Sequence, residues 1–262
     1  MSVSNENQEY FVAPDSIVRK IWGSGDTILF VFAGASAEFA LNKAVDWLYF
    51  TGRLPADPLG RLFSTVMYAR RIVFSPTPQA LKAIDSITAI HKAVEDNRAM
   101  KIPDWAYRDV LFMLIHYSKA AFELLERKMT EKEKEDLFDV FFRMGKRMGL
   151  KDLPANYRDW TISHDLHLQN DLQKSEYTID LYKQYRKHLG PLRYWILIQS
   201  QKLVVPPLVK QLLSLKGPSL ATPLIIGYKF GKSIRLGWFL KSLVLPANYK
   251  RQVKDLDTIP GH

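Results

Sequence analysis

Apolar residues recur along most of this chain at steps of three and four, the spacing that lines up one face of an α-helix, and sustained β-type alternation is absent. The pattern therefore predicts an all-α protein, a single multi-helix domain. An apolar stretch over 27–50 precedes predicted helices at 58–74, 77–98, 105–127 and 131–148, a loop at 151–160, a polar helix at 167–188, and interrupted amphipathic segments at 195–215 and 224–245.

Residues suited to helix termini support several of these boundaries. Asp57 can cap the helix that has Pro58 in its first turn, where the missing N–H is tolerated. Thr130 and Glu133 have the spacing of a capping box, in which each side chain bonds to the backbone N–H of the other. Gly149 is placed to end the helix that they begin.

One histidine lies on the apolar face of the helix predicted at 77–98. That face is formed, at steps of three and four, by Leu81, Ile84, Ile87, His91 and Val94. An imidazole in this position must be hydrogen-bonded or bound to a metal, because an unsatisfied buried polar group is costly. The pattern alone favours a core histidine that is hydrogen-bonded to a neighbour, with metal ligation as the alternative.

The composition excludes several classes of chemistry. The 262 residues include no cysteine, which rules out disulfides, thiolate zinc sites, iron–sulfur clusters and cysteine nucleophiles. Motifs of the dinucleotide-binding, P-loop, HExxH and GxSxG types are also absent. A metal in this protein must therefore use histidine or oxygen ligands. Because the first residues are polar and no disulfide can form, we expect a cytoplasmic protein.

The basic charge is concentrated in the last third of the chain. From Lys174 onward there are 15 Lys and Arg against 4 Asp and Glu, whereas the rest is nearly neutral. Cations alternate with aromatic and aliphatic residues over 191–245, as in helices that lie at a membrane interface. We expect this segment either to associate peripherally with a membrane or to pack on the core. No nucleic-acid partner is expected, because no reader motif accompanies the charge.

These observations predict three regions: a disordered N-terminal tail at 1–14, a helical core at 15–173 and a basic amphipathic C-terminal region at 174–262.

Other candidate residues carry weaker signals. His164 and His167 could share a helical face and hold a metal, but their polar surroundings favour a solvated helix start near Asp165. His116 is expected at the boundary of the core. Arg61 lies one helical turn before Thr65, so beside a bound anion or oxygen species the two would supply a guanidinium and a hydroxyl group.

A longer motif carries a family resemblance. The stretch 129–160 contains GKRMGLKDLP at 145–154, and it resembles the corresponding region of the MpaB-like oxygenase family, which is distantly related to latex-clearing rubber oxygenases. The AAFE sequence at 120–123, the Ile–His pair at 90–91 and the segment 57–65 resemble three further motifs of that family.

The resemblance implies an all-α haem protein. Several members of the family bind haem b through one histidine and use dioxygen to cleave or trim isoprenoid chains. Carried over residue by residue, His91 matches the axial haem ligand and metal ligand, and Arg61 and Thr65 match a catalytic pair on the opposite helix. Arg70 and Arg71 are expected to pair with haem propionates, on the basis of charge alone.

Two positions depart from the family pattern. Rubber oxygenases have a lysine just before the threonine, where this chain has Ser64, and a second family histidine falls on Leu111. The axial histidine is retained. The expected function is that of a haem b-dependent oxygenase acting with O2 on an apolar, isoprenoid or lipid-like substrate. The alternative is a non-catalytic helical protein of the same family that binds lipid or membrane.

Overall fold

The computed structural model describes residues 9–50, 52 and 56–230, and the all-α class is confirmed. Within this part of the chain two isolated β-bridges occur and no strand. The helices are α1 (Ile17–Trp22), α2 (Gly25–Leu41), α3 (Asp46–Phe50), α4 (Pro58–Phe74), α5 (Thr77–Arg98), α6 (Asp104–Leu125), α7 (Glu131–Arg147), α8 (Tyr157–Asn170), α9 (Glu176–Val204), α10 (Pro207–Leu212) and α11 (Thr222–Phe230).

The predicted caps form as expected. The Asp57 side chain accepts a hydrogen bond from the backbone N–H of Gly60 at the start of α4. Thr130 and Glu133 form both bonds of a capping box at the start of α7. Gly149, with φ of 78°, adopts the left-handed conformation just after α7 ends. Local sequence therefore determines these helix boundaries.

The core is built around α2, which is buried on nearly every side. It packs against α6 and α9 and also contacts α1, α4 and α10. A helix that is apolar all round belongs in the interior. The closest approach is at Gly34, where the ring of Tyr117 on α6 occupies the space that a Cβ atom would need. This glycine allows α2 and α6 to pack closely.

The expected loop at 151–160 and the expected helix at 167–188 are wrong in position. Helix α8 begins at residue 157, because the Asn156 side chain caps it by accepting a bond from the backbone N–H of Asp159. The helix ends at residue 170, and α9 starts anew behind a capping box formed by Ser175 and Thr178. Two local caps thus divide what the polar pattern suggested was one helix.

The N-terminal segment packs on the core from an earlier residue than expected. Phe11 and Val12 are buried in the core, and Tyr10 forms a β-bridge with Pro76. The expected disordered region therefore cannot extend to residue 14, and residues 1–8 lie outside the described part.

Part of the basic C-terminal region packs on the core. Helix α9 contacts α2, α4 and α6, and it bends at Gly190, where φ is 73° and ψ is 171°. No helix in the described ranges is long and apolar enough to cross a membrane. The segment predicted to lie on a membrane, 191–245, is described only as far as residue 230.

Candidate active site

Helices α4 and α5 form a hairpin in which the backbones of two predicted site residues, Arg61 and His91, lie at about the same distance from the turn. The connection between them is two residues long and the helices pack together, so they run antiparallel. Arg61 lies 13 residues before the end of α4, and His91 lies 14 residues after the start of α5. At 1.5 Å per residue, both backbones are about 20 Å from the turn. The side chain of Arg61 lies outside the described residues.

The imidazole of His91 is half-buried against an aromatic ring. Its centroid lies 5.0 Å from that of Tyr107, with the two ring planes at 54°. The Tyr107 hydroxyl donates a 3.0 Å hydrogen bond to Glu95, which also accepts one from the backbone N–H of Ile102. Burial and this bond to a carboxylate raise the pKa of Tyr107. These contacts anchor the end of α5 to the start of α6.

The inner face of α5 is fully covered only in its first half. Ala80, Ala83 and Ile84 are buried, whereas Ile87 and the residues after it on that face are half-buried at most. The predicted apolar face is therefore real, but it is only partly covered by other side chains around His91.

Two of the features that haem b requires are present around His91. A haem needs one imidazole and an apolar slot that it can fill. His91 supplies the imidazole on a partly uncovered apolar face, and Thr65 is half-buried on the neighbouring helix α4. These residues fit the group that the family resemblance implies.

The two candidate propionate partners lie in different surroundings. Arg70 is almost completely buried: its Nη1 donates a 2.8 Å hydrogen bond to the carbonyl of Trp22, and its guanidinium lies over the ring of Phe74. It joins α4 to α1, which corrects the expectation that it is free to meet a propionate. Arg71 is exposed on α4 and remains a candidate.

A second cluster, which the sequence had suggested only weakly, lies deep between α2, α6 and α8. The expectation of a solvated helix start is wrong, because His164 and His167 are only 4% and 3% exposed. His167 places Nε2 3.1 Å from Oε1 of Glu38, a fully buried carboxylate. The other oxygen of Glu38 accepts a 2.7 Å hydrogen bond from the Tyr117 hydroxyl.

Two more carboxylates face the other ring nitrogen of His167. Its Nδ1 lies 2.8 Å from Oδ1 of Asp109 and 3.5 Å from Oδ2 of Asp171. The amide of Asn42 donates a 2.8 Å bond to Oδ2 of Asp109. Burial opposes the charged imidazole, but Asp109 and Glu38 outweigh it and raise the pKa of His167 to about 10. Burial also raises the pKa of Asp109.

A pair of stacked histidines lies next to this cluster. The rings of His116 and His164 are 4.7 Å apart and nearly parallel, at 15°. Burial lowers the pKa of His116 to about 4 and that of His164 to about 3, so both rings are neutral at pH 7. His116 is half-buried and hydrogen-bonded to the backbone of Val204, in agreement with the expected place at the core boundary.

Stability is expected to fall as the pH is lowered from about 6.5 towards 4. In this window the unfolded chain protonates its histidines, whereas His116 and His164 stay neutral in the fold, so the unfolded state binds more protons. A shift from 6.5 to about 4 corresponds to roughly 3 kcal/mol for His116. Urea unfolding between pH 7 and 4.5 measures this slope, which should decrease in His116→Gln; an unchanged slope in that variant would contradict the assignment.

The comparison with known families decides the classification. The family model described as "ER-bound oxygenase mpaB/B'/Rubber oxygenase, catalytic domain" matches residues 20–231, about four fifths of the chain. The chain belongs to this family. A search of curated proteins gives no match. The mpaB/rubber oxygenase domain extends beyond the boundary predicted at residue 173, so α9 and the helices after it belong to the domain.

The family motif at 145–154 has a structural task in this mpaB/rubber oxygenase domain. A Cβ on Gly145 would lie 2.6 Å from Cδ1 of Leu111, so the glycine permits close packing of α7 on α6. Arg147 forms two bonds, of 2.8 and 2.7 Å, with the carboxylate of Asp85 on α5. The motif therefore connects α7 to the helix that carries His91.

Proposed function

We propose that this protein is a haem b-dependent oxygenase that acts with O2 on an apolar, isoprenoid or lipid-like substrate. The supporting observation is the half-buried imidazole of His91 on a partly uncovered apolar face of α5. The backbone of His91 lies at about the same distance from the turn of the α4–α5 hairpin as that of Arg61. Membership of an oxygenase family makes an oxidoreductase activity the natural expectation for this pair.

Haem b supplies the one-electron and O2 chemistry of such a reaction. The chain's own residues bind and orient. The imidazole of His91 would hold the iron, and the exposed guanidinium of Arg71 is available for a propionate. Arg61 and Thr65, one turn apart on α4, would supply a cation and a hydroxyl group to this site. Ile87 and Val94 lie on the same face of α5 as His91 and offer an apolar wall for the substrate.

Haem loading tests this proposal directly. Purified protein supplied with haem b should bind one equivalent and develop the Soret band of a histidine-ligated haem, and the loaded protein should consume O2 in the presence of an isoprenoid. A folded protein that binds no haem would refute the assignment as a haem-dependent oxygenase. Haem binding without O2 uptake would support the assigned cofactor but refute the proposed reaction.

We further propose that α9 brings the protein to a membrane that holds the apolar substrate. Beyond the kink of this helix, Leu192 and Trp195 are 56% and 44% exposed, and Arg186 and Lys187 are exposed just before it. Exposed apolar side chains beside cations are typical of interfacial helices.

Binding to vesicles of anionic lipid should therefore be measurable and should weaken at high salt, because screening shortens the reach of the cations. Replacing Leu192 and Trp195 by serine should lower vesicle binding about tenfold or more, since each loses burial of a large apolar group. Ile162→Ser, an equally exposed apolar residue on α8, serves as the control. Vesicle binding by a protein that takes up no haem would favour the non-catalytic alternative.

A further inference from the structure

We propose that Asp109, His167 and Asp171 form a binding site for a divalent first-row transition-metal ion, in addition to the haem site. One ligand atom from each residue lies within 4.8 Å of the others. Asp109 comes from α6, His167 lies in the last turn of α8, and Asp171, four residues later, is the C-cap of that helix. Such a spacing lets two residues of one helix bind the same ion.

The ring nitrogen Nδ1 of His167 faces the two aspartates. This atom is buried and close to two carboxylate oxygens, at 2.8 and 3.5 Å, yet within the described residues neither accepts a hydrogen bond from it. At 2.8 Å the Asp109 oxygen interacts strongly with the ring, but it is not aligned as the acceptor of a regular N–H hydrogen bond. Atoms that bind one ion point towards the ion and not towards each other. An ion ligated by all three atoms would therefore produce this arrangement.

Further polar groups lie behind the ligands and hold them in place. Glu38 faces Nε2 of His167, so once a metal displaces the proton of Nδ1, the lone pair of that atom would point towards Asp109 and Asp171. Tyr117 holds Glu38 in turn, and Asn42 binds Oδ2 of Asp109, which leaves Oδ1 towards the histidine. Histidine ligands of metals are commonly oriented by a carboxylate on the opposite nitrogen in this way.

Carboxylates outnumber cationic side chains in this cluster. Three carboxylates, of Glu38, Asp109 and Asp171, share a single imidazole, and no lysine or arginine in the part of the chain described here forms an ion pair with any of them. Buried charges need a partner. A charged His167 balances only one of these carboxylates, whereas a divalent cation that replaces its ring proton would balance two.

The ligand set also indicates the class of ion. One imidazole and two carboxylates suit Mn²⁺, Fe²⁺ or Zn²⁺, whereas Mg²⁺ and Ca²⁺ prefer oxygen alone. The side chain of Asp171 is 24% exposed, so an ion can enter from the end of α8. The remaining ligand positions would be open on that side.

Titration of the purified, metal-stripped protein with Zn²⁺ tests the site, with binding followed by calorimetry and metal content measured after gel filtration. We expect one tightly bound equivalent and a melting temperature that rises with Zn²⁺, because the ion binds the folded state. Asp171→Asn, which keeps the size of a partly exposed side chain, should weaken Zn²⁺ binding at least tenfold. Asp165→Asn, exposed on the same helix, should leave it unchanged.

The outcomes separate this site from the haem site. Loss of Zn²⁺ binding in Asp171→Asn with unchanged haem loading, together with unchanged Zn²⁺ binding in His91→Ala, supports the proposal. If the wild-type protein binds no Zn²⁺ equivalent, the proposal is refuted without recourse to any variant. Equal Zn²⁺ binding by wild-type protein and a folded Asp171→Asn also refutes it.

Discussion

His91→Ala is expected to remove the Soret band of the haem-loaded protein almost completely. The imidazole is the one histidine side chain on the inner face of α5, and alanine has no atom that can bind iron. The change should cost little in stability, because the position is only half-buried and alanine is the best helix former. Absorption spectra of both proteins after haem loading and removal of free haem, normalised to protein concentration, measure the effect.

The matched control is Lys92→Ala, which changes the next, exposed residue of the same helix and should keep the full band. Added imidazole should partly restore the band in His91→Ala by filling the space that the side chain leaves. A full Soret band in that variant without imidazole would show that another group holds the iron.

Gly34→Ala is expected to destabilise the protein by about 3 kcal/mol or more. The new methyl group would overlap the ring of Tyr117, and both helices are held by their other neighbours, so the ring must move. Its hydroxyl would then leave Glu38, a buried carboxylate that would lose a hydrogen bond. Both effects lower the free energy of unfolding, which chemical denaturation measures.

Gly227→Ala provides the control for the intrinsic effect of this substitution in a helix. A Cβ at Gly227 would meet nothing within 4 Å, and alanine is favoured over glycine in helices by up to about 1 kcal/mol. This variant should be as stable as the wild type or more so. A similar loss in both variants would mean that the contact between Gly34 and Tyr117 does not govern the packing of α2 on α6.

Sequence was a good guide wherever local chemistry decides the structure. Asp57 with its proline neighbour, and Thr130 with Glu133, cap their helices through bonds that span three residues. The helix that carries His91 has the predicted bounds, 77–98. In each case the stabilising partners lie within one turn, so the pattern contains the information.

The buried cluster could not be predicted in the same way, because its partners lie far apart in the chain. A signal for α8 was present: Trp160, His164 and His167 follow each other at helical spacing and all are buried. The histidines are counted as polar in any hydropathy pattern, and this concealed the inner face of the helix. Glu38 interrupts an apolar stretch, but nothing local shows that Tyr117 would bind it.

The bonds around Glu38 and Asp109 also bear on how the molecule folds. They join residues separated by 67, 79 and 129 positions in sequence. Closing loops of this length is entropically costly, and contacts of high sequence separation form slowly. The cluster should therefore be completed late, after the hairpin of α4 and α5 has formed its own short-range contacts. A fragment that ends before α8 would contain every residue of the candidate haem site and lack the histidine that the buried carboxylates of Glu38 and Asp109 need.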